Sequence, residues 1–384
     1  MPRIGARALA FGAALLLPAF ASARTQVPNA AQPQLAASTD GSVWLVYGQT
    51  ATSPTPAAHG GDHAAGQHGA GAHGAAARPE GDIFVAHSTD GGETFAPATK
   101  VASVPGLMLG MRRGPRIAAR DNAITVTVVA NELVAFSSSD GGRTWSGPVT
   151  VTDAPQSAQE GLHDLAAAPD GSLFVTWLDI RNGKMELWGT ESRDGGKTWA
   201  KNTQMYRSPD KSICECCHPS ALFDADGNLA VMWRNSIEGS RDLWMAIRPR
   251  GAKEFSAAKK LGDGTWKLNA CPMDGGKIVA MGAGKFGAVW QRAGEVFFAP
   301  YGGPEVLLGK GKQPVAITRD GVPFIVWQQD ANLVSVRKPG EQPAQVAPDA
   351  RFASAISLPN HGGVLAYEQG PAKEKQPGIV IERL

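Results

Sequence analysis

The residues of this chain that are best suited to chemistry are concentrated in one short segment. It reads Cys214-Glu-Cys216-Cys217-His218, and the fourth cysteine of the chain is Cys271. Three thiols and an imidazole at this density favour soft transition metals, with Cu(I) first and Zn(II) next. The segment therefore predicts a metal site whose expected ion is copper.

Methionines and histidines elsewhere in the chain offer further ligands to this predicted site. Met273 lies two residues after Cys271, and Met108 and Met111 lie earlier in the chain. The stretch 51–80 consists mostly of alanine, glycine and histidine. Because it has almost no bulky apolar residue, it is expected to be a flexible insertion. Its histidines are candidate metal-capturing ligands: His59, His63, His68 and His73.

The same cysteines also allow a purely structural interpretation. An even number of cysteines in an exported protein is typical of disulfide bonds. A bridge from the triple to Cys271 would join two neighbouring repeats, while the adjacent Cys216 and Cys217 rarely pair because the ring is strained. The sequence leaves the choice between metal binding and disulfide formation open.

A motif of eight residues that occurs three times indicates which elements position these side chains. Its copies span 88–95, 138–145 and 192–199, and each contains Ser, Asp-Gly-Gly, Thr and an aromatic residue in the same order. The carboxylate can accept backbone N–H bonds across a tight turn, and the glycines supply positive φ. The three aspartates are therefore expected to be structural: Asp90, Asp140 and Asp194.

The spacing of the motif, 50 and then 54 residues, predicts a repeat architecture. Short strands separated by Gly, Asp and Asn indicate four-stranded antiparallel blades, as in an all-β propeller. The second strand of a blade recurs seven times, which predicts seven blades, with six as the alternative. The segment around Gln26-Val27 is expected to complete the last blade and so remove the sheet edges.

The repeated motif resembles the Asp box, or BNR repeat, of sialidase-like β-propellers. Residues 212–276 further resemble a set of secreted bacterial members of that family. The matching motifs are Cys214-x-Cys216-Cys217, Met232-Trp233-Arg234, Arg241-Asp242 and Trp266-x4-Cys271-Pro272-x-Asp274-Gly275. This resemblance implies a common central site built from the two cysteine segments and the Arg–Asp pair, and it implies no particular reaction.

The connections of such blades divide between two faces. Asp boxes are turns between the third and fourth strands, whereas both cysteine segments connect one blade to the next and lie on the other face. Several charged and aromatic residues are expected to share the cysteine face and to bind a small acidic or glycan ligand: His163, Asp164, Arg181, Arg234, Arg241, Asp242, Trp266 and Arg292.

Sialidase chemistry is the reaction that the resemblance suggests, and the residues favour it poorly. It requires three arginines, a tyrosine nucleophile with a glutamate, and an acidic acid/base residue. The weak candidates are Tyr367 and Glu368 together with Arg234 and Arg241. The Arg-Ile-Pro signature of sialidases is absent from the sequence. An enzyme is therefore not the favoured interpretation, and if the chain is one, we expect a glycoside hydrolase of sialidase type.

Composition and the N-terminus predict an exported protein. Residues 1–23 have the basic start, the apolar centre and the small final residues of a secretory signal. The expected mature chain, 24–384, is one propeller domain in the periplasm, with extracellular release as the alternative. It has no second stretch of about 18 apolar residues that would span a membrane.

The charge balance excludes one class of partner. Without Arg3 and Arg7, the 37 basic side chains fall to 35 and equal the 35 acidic ones, so no nucleic-acid partner is expected. The sequence identifies no protein partner. A scaffold whose blades are held by disulfides is the remaining alternative.

Overall fold

The computed structural model describes residues 24–50, 80–359, 362–371 and 377–384. These residues form seven antiparallel sheets of four strands each. The first strands of successive sheets contact one another in a closed series, so the sheets are the blades of a propeller. The predicted all-β fold and the count of seven blades are confirmed, and the alternative of six is wrong.

The first four blades follow one another along the chain. Blade 1 contains β2 (Ala31–Ala37), β3 (Val43–Thr50), β4 (Glu80–Ser88) and β5 (Thr99–Pro105). Blade 2 contains β6 (Arg116–Arg120), β7 (Ala123–Val129), β8 (Leu133–Ser138) and β9 (Ser146–Thr150). Blade 3 contains β10 (His163–Ala167), β11 (Leu173–Asp179), β12 (Glu186–Ser192) and β13 (Thr203–Tyr206). Blade 4 contains β14 (Ser220–Phe223), β15 (Leu229–Arg234), β16 (Leu243–Arg248) and β17 (Lys259–Lys260).

The last three blades bring the two ends of the described chain together. Blade 5 contains β18 (Lys277–Ala280), β19 (Phe286–Arg292), β20 (Glu295–Pro300) and β21 (Val306–Lys310). Blade 6 contains β22 (Lys312–Arg319), β23 (Val322–Gln329), β24 (Asn332–Val336) and β25 (Ala344–Ala347). Blade 7 contains β26 (Ala350–Ser357), β27 (Gly363–Gln369), β28 (Gly378–Arg383) and the N-terminal β1 (Thr25–Val27). The fourth strand of blade 7 thus comes from the predicted N-terminal segment.

The core lies between the blades. Inner strands such as β11 are buried along their whole length, because neighbouring blades cover both faces of the sheet. Their sequences are therefore almost continuously apolar rather than alternating. Large tryptophans on five second strands are at most 2% exposed and fill the space between blades: Trp44, Trp177, Trp233, Trp290 and Trp327. Outer strands such as β9 are mostly exposed and polar.

The three Asp boxes are structural turns between third and fourth strands. In the second box, Asp140 accepts the backbone N–H of Thr144 at 3.0 Å and its hydroxyl at 2.7 Å. Ser138 Oγ accepts the N–H of Gly142 at 2.9 Å, and Gly141 and Gly142 have φ of 72° and 76°. These bonds favour the charged carboxylate, and they hold the pKa of Asp140 well below its usual range.

No helix among the described residues is long and apolar enough to cross a membrane.

Candidate metal centre

The cysteine segment lies in the connection between β13 and β14, on the propeller face opposite the Asp boxes. Two backbone bonds fix its approach to blade 4. The N–H of Ile213 donates to the carbonyl of Met185 at 2.9 Å, and the N–H of Cys214 donates to the carbonyl of Arg234 at 3.0 Å. Ile213 itself is fully buried, so the segment enters the protein immediately before the first thiol.

The three thiols of this segment form one compact buried group, called the cysteine cluster below. Cys214, Cys216 and Cys217 are 1%, 6% and 1% exposed. The Sγ of Cys214 lies 3.8 Å from that of Cys216 and 3.4 Å from that of Cys217, and all three sulfurs are within 4.8 Å of one another. Half-buried Met273 packs against the cluster. All four cysteines of the chain are free thiols in this structure.

The three thiols of the cluster differ in acidity: the pKa of one is lowered and the pKa values of the other two are raised. Hydrogen bonds with Cys216 and Cys217 hold the pKa of Cys214 well below its usual range, and the guanidinium groups of Arg234 and Arg241 act in the same direction. Its hydrogen bond with Cys214 raises the pKa of Cys216, and burial raises the pKa of Cys217. The cluster can therefore hold one thiolate beside two protonated thiols.

Arg234 connects the cluster to its surroundings. This arginine is 1% exposed at the end of β15. Its Nε and Nη2 donate to the carbonyl of Asp274 at 3.0 and 2.9 Å, while Nη1 donates to the carbonyl of Arg241 at 2.6 Å. Nη2 also donates to the carbonyl of Gln291 at 2.8 Å. One buried side chain thus holds the loops of blades 4 and 5 against the cluster.

His218 follows the cluster directly in sequence, but its imidazole ring forms hydrogen bonds with backbone groups of another connection. Its Nε2 lies 3.1 Å from the carbonyl of Gly276, and its Nδ1 accepts the N–H of Gly275 at 3.3 Å. Burial lowers the pKa of His218 well below its usual value, so the ring is neutral. Both ring nitrogens are engaged by backbone in this structure, and His218 is not part of the group of three sulfurs.

The other predicted ligands are distributed unevenly. Cys271 is exposed and stands outside the group of three sulfurs. Met108 packs against the core between blades 2 and 3, and Met111 is 49% exposed in the connection before β6. Of the four predicted thioether and thiol partners, only Met273 contacts the cluster. The four histidines, His59, His63, His68 and His73, lie outside the described residues.

Most of the arginines predicted to bind an acidic ligand are already occupied. Arg181 donates through Nε and Nη2 to both carboxylate oxygens of Asp179, each at 2.9 Å. Arg292 donates to Glu305 through both terminal nitrogens, at 2.7 and 2.5 Å. Two carboxylates therefore neutralise these arginines inside the protein.

The remaining residues predicted on this face also have structural roles. Arg241 donates from Nε to the carbonyl of Leu268 at 3.4 Å. Asp242 accepts the hydroxyl of Thr265 at 2.7 Å and the N–H of Trp266 at 2.9 Å, and the ring of Trp266 lies 5.6 Å from the guanidinium of Arg234. Among the described residues, the arginines predicted on this face therefore form no free clamp of the kind that a sialoside carboxylate requires.

Tyr367 and Glu368 do not form a nucleophile and base. They are consecutive in β27, so their side chains point to opposite faces of the blade. Glu368 accepts the N–H and the side-chain amide of Gln32 and pairs with Arg351 at 3.2 Å. Tyr367 is fully buried, which raises its pKa to about 12. The structure therefore does not support this pair as catalytic residues.

The axis of the propeller contains a polar site that the sequence did not single out. Asp164, one of the predicted residues, lies there between Arg116 Nε at 3.8 Å and Lys277 Nζ at 2.8 Å. Arg116, Asp164 and Lys277 each lie at or next to the start of a first strand. This shared position at the start of a first strand is the sequence signal from which their proximity at the axis could have been predicted.

Comparisons with known proteins agree with this architecture. The family described as BNR repeat-like domain matches residues 120–279. No curated protein sequence matches the chain significantly. Among solved structures, the chain is similar to a protein of unknown function from Dyadobacter fermentans DSM 18053. That pair has 15% identity and a TM-score of 0.54, covering 94% of this chain and 96% of the other.

Two further solved structures share the fold. YCF48 bound to D1 peptide has 12% identity and a TM-score of 0.52, with 94% of this chain and 95% of that chain covered. The α-L-arabinofuranosidase arb93a from Fusarium graminearum, in complex with an iminosugar inhibitor, has 11% identity and a TM-score of 0.51, with 95% and 97% covered. At these identities the likeness concerns the fold alone. The chain is a seven-bladed β-propeller with three Asp-box motifs, and its residues 120–279 are similar to the BNR repeat-like domain.

Proposed function

We propose that this chain is an exported metal-handling propeller that binds Cu(I) at Cys214, Cys216 and Cys217. The observation that supports this most directly is the meeting of three buried sulfurs within 4.8 Å of one another. Three sulfurs at about 2.3 Å from one ion in their plane would be about 4 Å apart, given ordinary metal–thiolate distances. The observed separations of 3.4 and 3.8 Å are close to that arrangement.

The ligand set favours copper over zinc. A structural zinc site normally has four nitrogen or sulfur ligands in a tetrahedron. Here His218 is held by backbone, and the neighbouring soft group is the thioether of Met273. Thiolate and thioether ligands together suit Cu(I), which accepts fewer ligands than zinc. Zinc is therefore the second candidate.

The surroundings support binding of a cation through thiolates rather than a disulfide. Arg234 and Arg241 stabilise negative charge on Cys214 before any metal arrives. Blades 4 and 5 are already connected by the hydrogen bonds of Arg234, so a covalent staple through Cys271 is not needed to join them.

The wider role that we propose is storage, delivery or detoxification of copper in the periplasm. The signal-like sequence over residues 1–23 supports export, and neutral imidazoles at His59, His63, His68 and His73 would capture Cu(II) or Zn(II) near the propeller. In this proposal the ligand of the propeller is the metal ion, and no acidic or glycan ligand is needed.

The test is a titration of the reduced chain with Cu(I) against a chromophoric Cu(I) chelator. One ion per chain at the cysteine cluster is expected, and replacing Cys214, Cys216 and Cys217 together by Ser should abolish it. Cys271→Ser is the matched control, because that thiol is exposed and lies outside the cluster, and it should bind normally. Unchanged Cu(I) binding in the triple variant would refute the assignment.

Glycan binding is the alternative function, and it is supported by fold likeness to a glycoside hydrolase. The ion pairs of Arg181 and Arg292 argue against a free carboxylate clamp on the same face. A glycan array probed with the mature chain would decide it. Specific binding that is lost in Arg241→Ala would favour the glycan interpretation over the metal site.

A further inference from the structure

The seven first strands enclose a channel of about 260 Å³ along the propeller axis. Its two ends differ in chemistry. The end near the cysteine face is lined by charged or polar side chains: Arg112, Arg116, Asp164, His218 and Lys277. The other end is lined mainly by small or apolar residues of the same strands, among them Ala37, Ala119 and Ala167. A polar site therefore lies inside the ring, separate from the cysteine cluster.

Arg112 spans the polar end of this channel without a carboxylate partner in hydrogen-bond contact. It is 6% exposed, and it donates from Nε to the side-chain oxygen of Gln313 at 2.6 Å. Its terminal nitrogens donate to the carbonyls of Gln313 and Ala353, each at 2.8 Å. All three acceptors are neutral, and two of its five N–H groups remain for another acceptor. Burial lowers the pKa of Arg112 to about 10, so it is cationic at neutral pH.

The other charged groups in the channel lining do not compensate Arg112. Asp164 is shared by Arg116 and Lys277, at 3.8 and 2.8 Å. Arg116 also donates to the carbonyls of Gly114 and Pro115, which are neutral. His218 contributes no charge, because its Nδ1 accepts the N–H of Gly275 at 3.3 Å and therefore carries no proton. The lining thus contains three cations and one carboxylate, an excess of two positive charges.

The nearest carboxylates behind the lining have cations of their own. Glu368 pairs with Arg351 at 3.2 Å. The carboxylate of Asp274 accepts the N–H of Gln313 at 2.6 Å and is attracted both by Arg234, which lies outside the channel lining, and by Arg112. Counting these two pairs as neutral leaves the excess in the channel unchanged. Buried charge without a counter-charge is unfavourable, so binding of an anion in the channel would be stabilised by the excess positive charge.

We propose that the channel binds a divalent tetrahedral oxyanion of the phosphate or sulfate type at Arg112, Arg116 and Lys277. Two negative charges match the excess, and guanidinium and ammonium donors are the usual protein ligands of such anions. The volume of about 260 Å³ is smaller than typical pockets for drug-sized ligands, so an oligosaccharide does not fit.

Isothermal titration of the mature chain with inorganic phosphate and with sulfate, at ionic strength held constant with sodium chloride, tests the proposal. Lys277→Gln removes one cation and should weaken binding at least tenfold. Asp164→Asn removes the single carboxylate of the lining and should strengthen binding several-fold. Lys253→Gln, an exposed lysine in the connection after β16, is the matched control and should leave binding unchanged.

The opposite responses of the two channel variants separate anion binding from general damage to the fold. Circular dichroism establishes that each variant is folded, and if Asp164→Asn does not fold, Lys277→Gln decides alone. Preference for phosphate or for sulfate would identify the natural anion. The proposal is overturned if neither anion binds the folded wild-type chain more tightly than chloride, or if Lys277→Gln binds as the wild type does.

Discussion

Arg234 is the side chain on which the geometry of the cysteine cluster depends most. Its guanidinium donates to three backbone carbonyls, those of Asp274, Arg241 and Gln291. Arg234→Lys keeps the positive charge near Cys214 but cannot satisfy these carbonyls together, and each buried acceptor left unsatisfied costs about 1–3 kcal/mol. We therefore expect Cu(I) affinity to fall at least tenfold in the chelator competition, with a lower thermal midpoint.

Arg241→Lys is the control for this prediction. Arg241 is also close enough to lower the pKa of Cys214, but its side chain makes a single long bond to Leu268, at 3.4 Å. The substitution should leave Cu(I) affinity within a few-fold of the wild type. Wild-type affinity in both variants would show that positive charge alone, and not the anchoring by Arg234, governs the cluster.

His163 makes stability depend on pH. It is fully buried beside Thr127, with Nε2 3.0 Å from the hydroxyl, and desolvation lowers its pKa to about 3. The unfolded chain binds a proton near pH 6.5 and the folded chain does not. The contribution of His163 is therefore complete above pH 6.5 and is lost towards pH 3, by up to about 1.4 kcal/mol per pH unit.

His163→Gln retains a hydrogen-bonding side chain that does not titrate. Urea unfolding at pH 7.0 and at pH 4.5 should show a smaller loss of unfolding free energy for the variant than for the wild type. An identical loss in both chains would mean that His163 is protonated in the folded protein or does not contribute.

Residue types and spacing were sufficient to predict the cysteine cluster but not the role of His218. Three thiols within four positions must lie close together wherever the segment goes. The ring of His218, in contrast, is held by Gly275 and Gly276 from a connection that is distant in sequence. Nothing local in Cys217-His218-Pro219 indicates that partner, so the sequence could not predict that backbone groups engage both ring nitrogens of His218.

At the scale of the element, the Asp boxes are local enough to be predicted in full from the sequence. The side-chain bonds of Ser138 and Asp140 in the box at 138–145 are all made within that box, to one another and to Gly142, Arg143 and Thr144. The bulges of the first strands are different. The pairing of β2, β22 and β26 shifts register near Gln32, Gln313 and Phe352, each with φ between 49° and 56°. These non-glycine residues carry no sequence signal for a left-handed conformation.

Asp140→Asn tests the Asp box as a stabilising turn. The pKa of Asp140 is lowered in the folded chain, mainly by its bond to the hydroxyl of Thr144. Its contribution is therefore present above pH 4 and is lost as the pH falls through the folded pKa. We expect a lower thermal midpoint for the variant at pH 7, and a difference from the wild type that narrows progressively as the pH falls below 4.

Arg250 provides the matched control, because it occupies the aspartate position in the decayed fourth copy, 248–255. Arg250→Gln should change the midpoint less than Asp140→Asn does and should show no comparable convergence in acid. If the two substitutions have the same effect at every pH, the ionised carboxylate of the box is not what stabilises the turn.

At the scale of the whole molecule, the number of blades was predictable and the channel was not. Seven second strands are visible as seven apolar runs, because each is covered by blades on both sides. The charges of the channel come from connections and first strands of several blades, and they meet only once the ring closes. Arg112, for example, contacts Gln313 and Ala353 across the axis. Such contacts depend on the tertiary arrangement of the blades. The sequence repeats predict that arrangement in outline but do not predict which side chains meet at the axis.

Closure of the ring by β1 is the property of the whole molecule that a truncation can test. Residues Thr25 to Val27 pair antiparallel with Ile381 to Ile379 of β28, and Arg24 pairs with Glu382 at 2.9 Å. A chain of residues 28–384 lacks this strand and exposes the edge of β28. At about 0.5–1.5 kcal/mol per backbone hydrogen bond, we expect its unfolding free energy to be about 1–3 kcal/mol lower than that of residues 24–384.

Urea unfolding of the two chains measures this difference, and light scattering reports the association that an unpaired edge promotes. A synthetic peptide of residues 24–30 should raise the thermal midpoint of the shorter chain in a concentration-dependent way, because it binds the folded edge and not the unfolded chain. The same peptide should leave the midpoint of the longer chain unchanged, since its edge is occupied. Equal midpoints for the two chains without peptide would show that six complete blades and a three-stranded seventh already hold the ring closed.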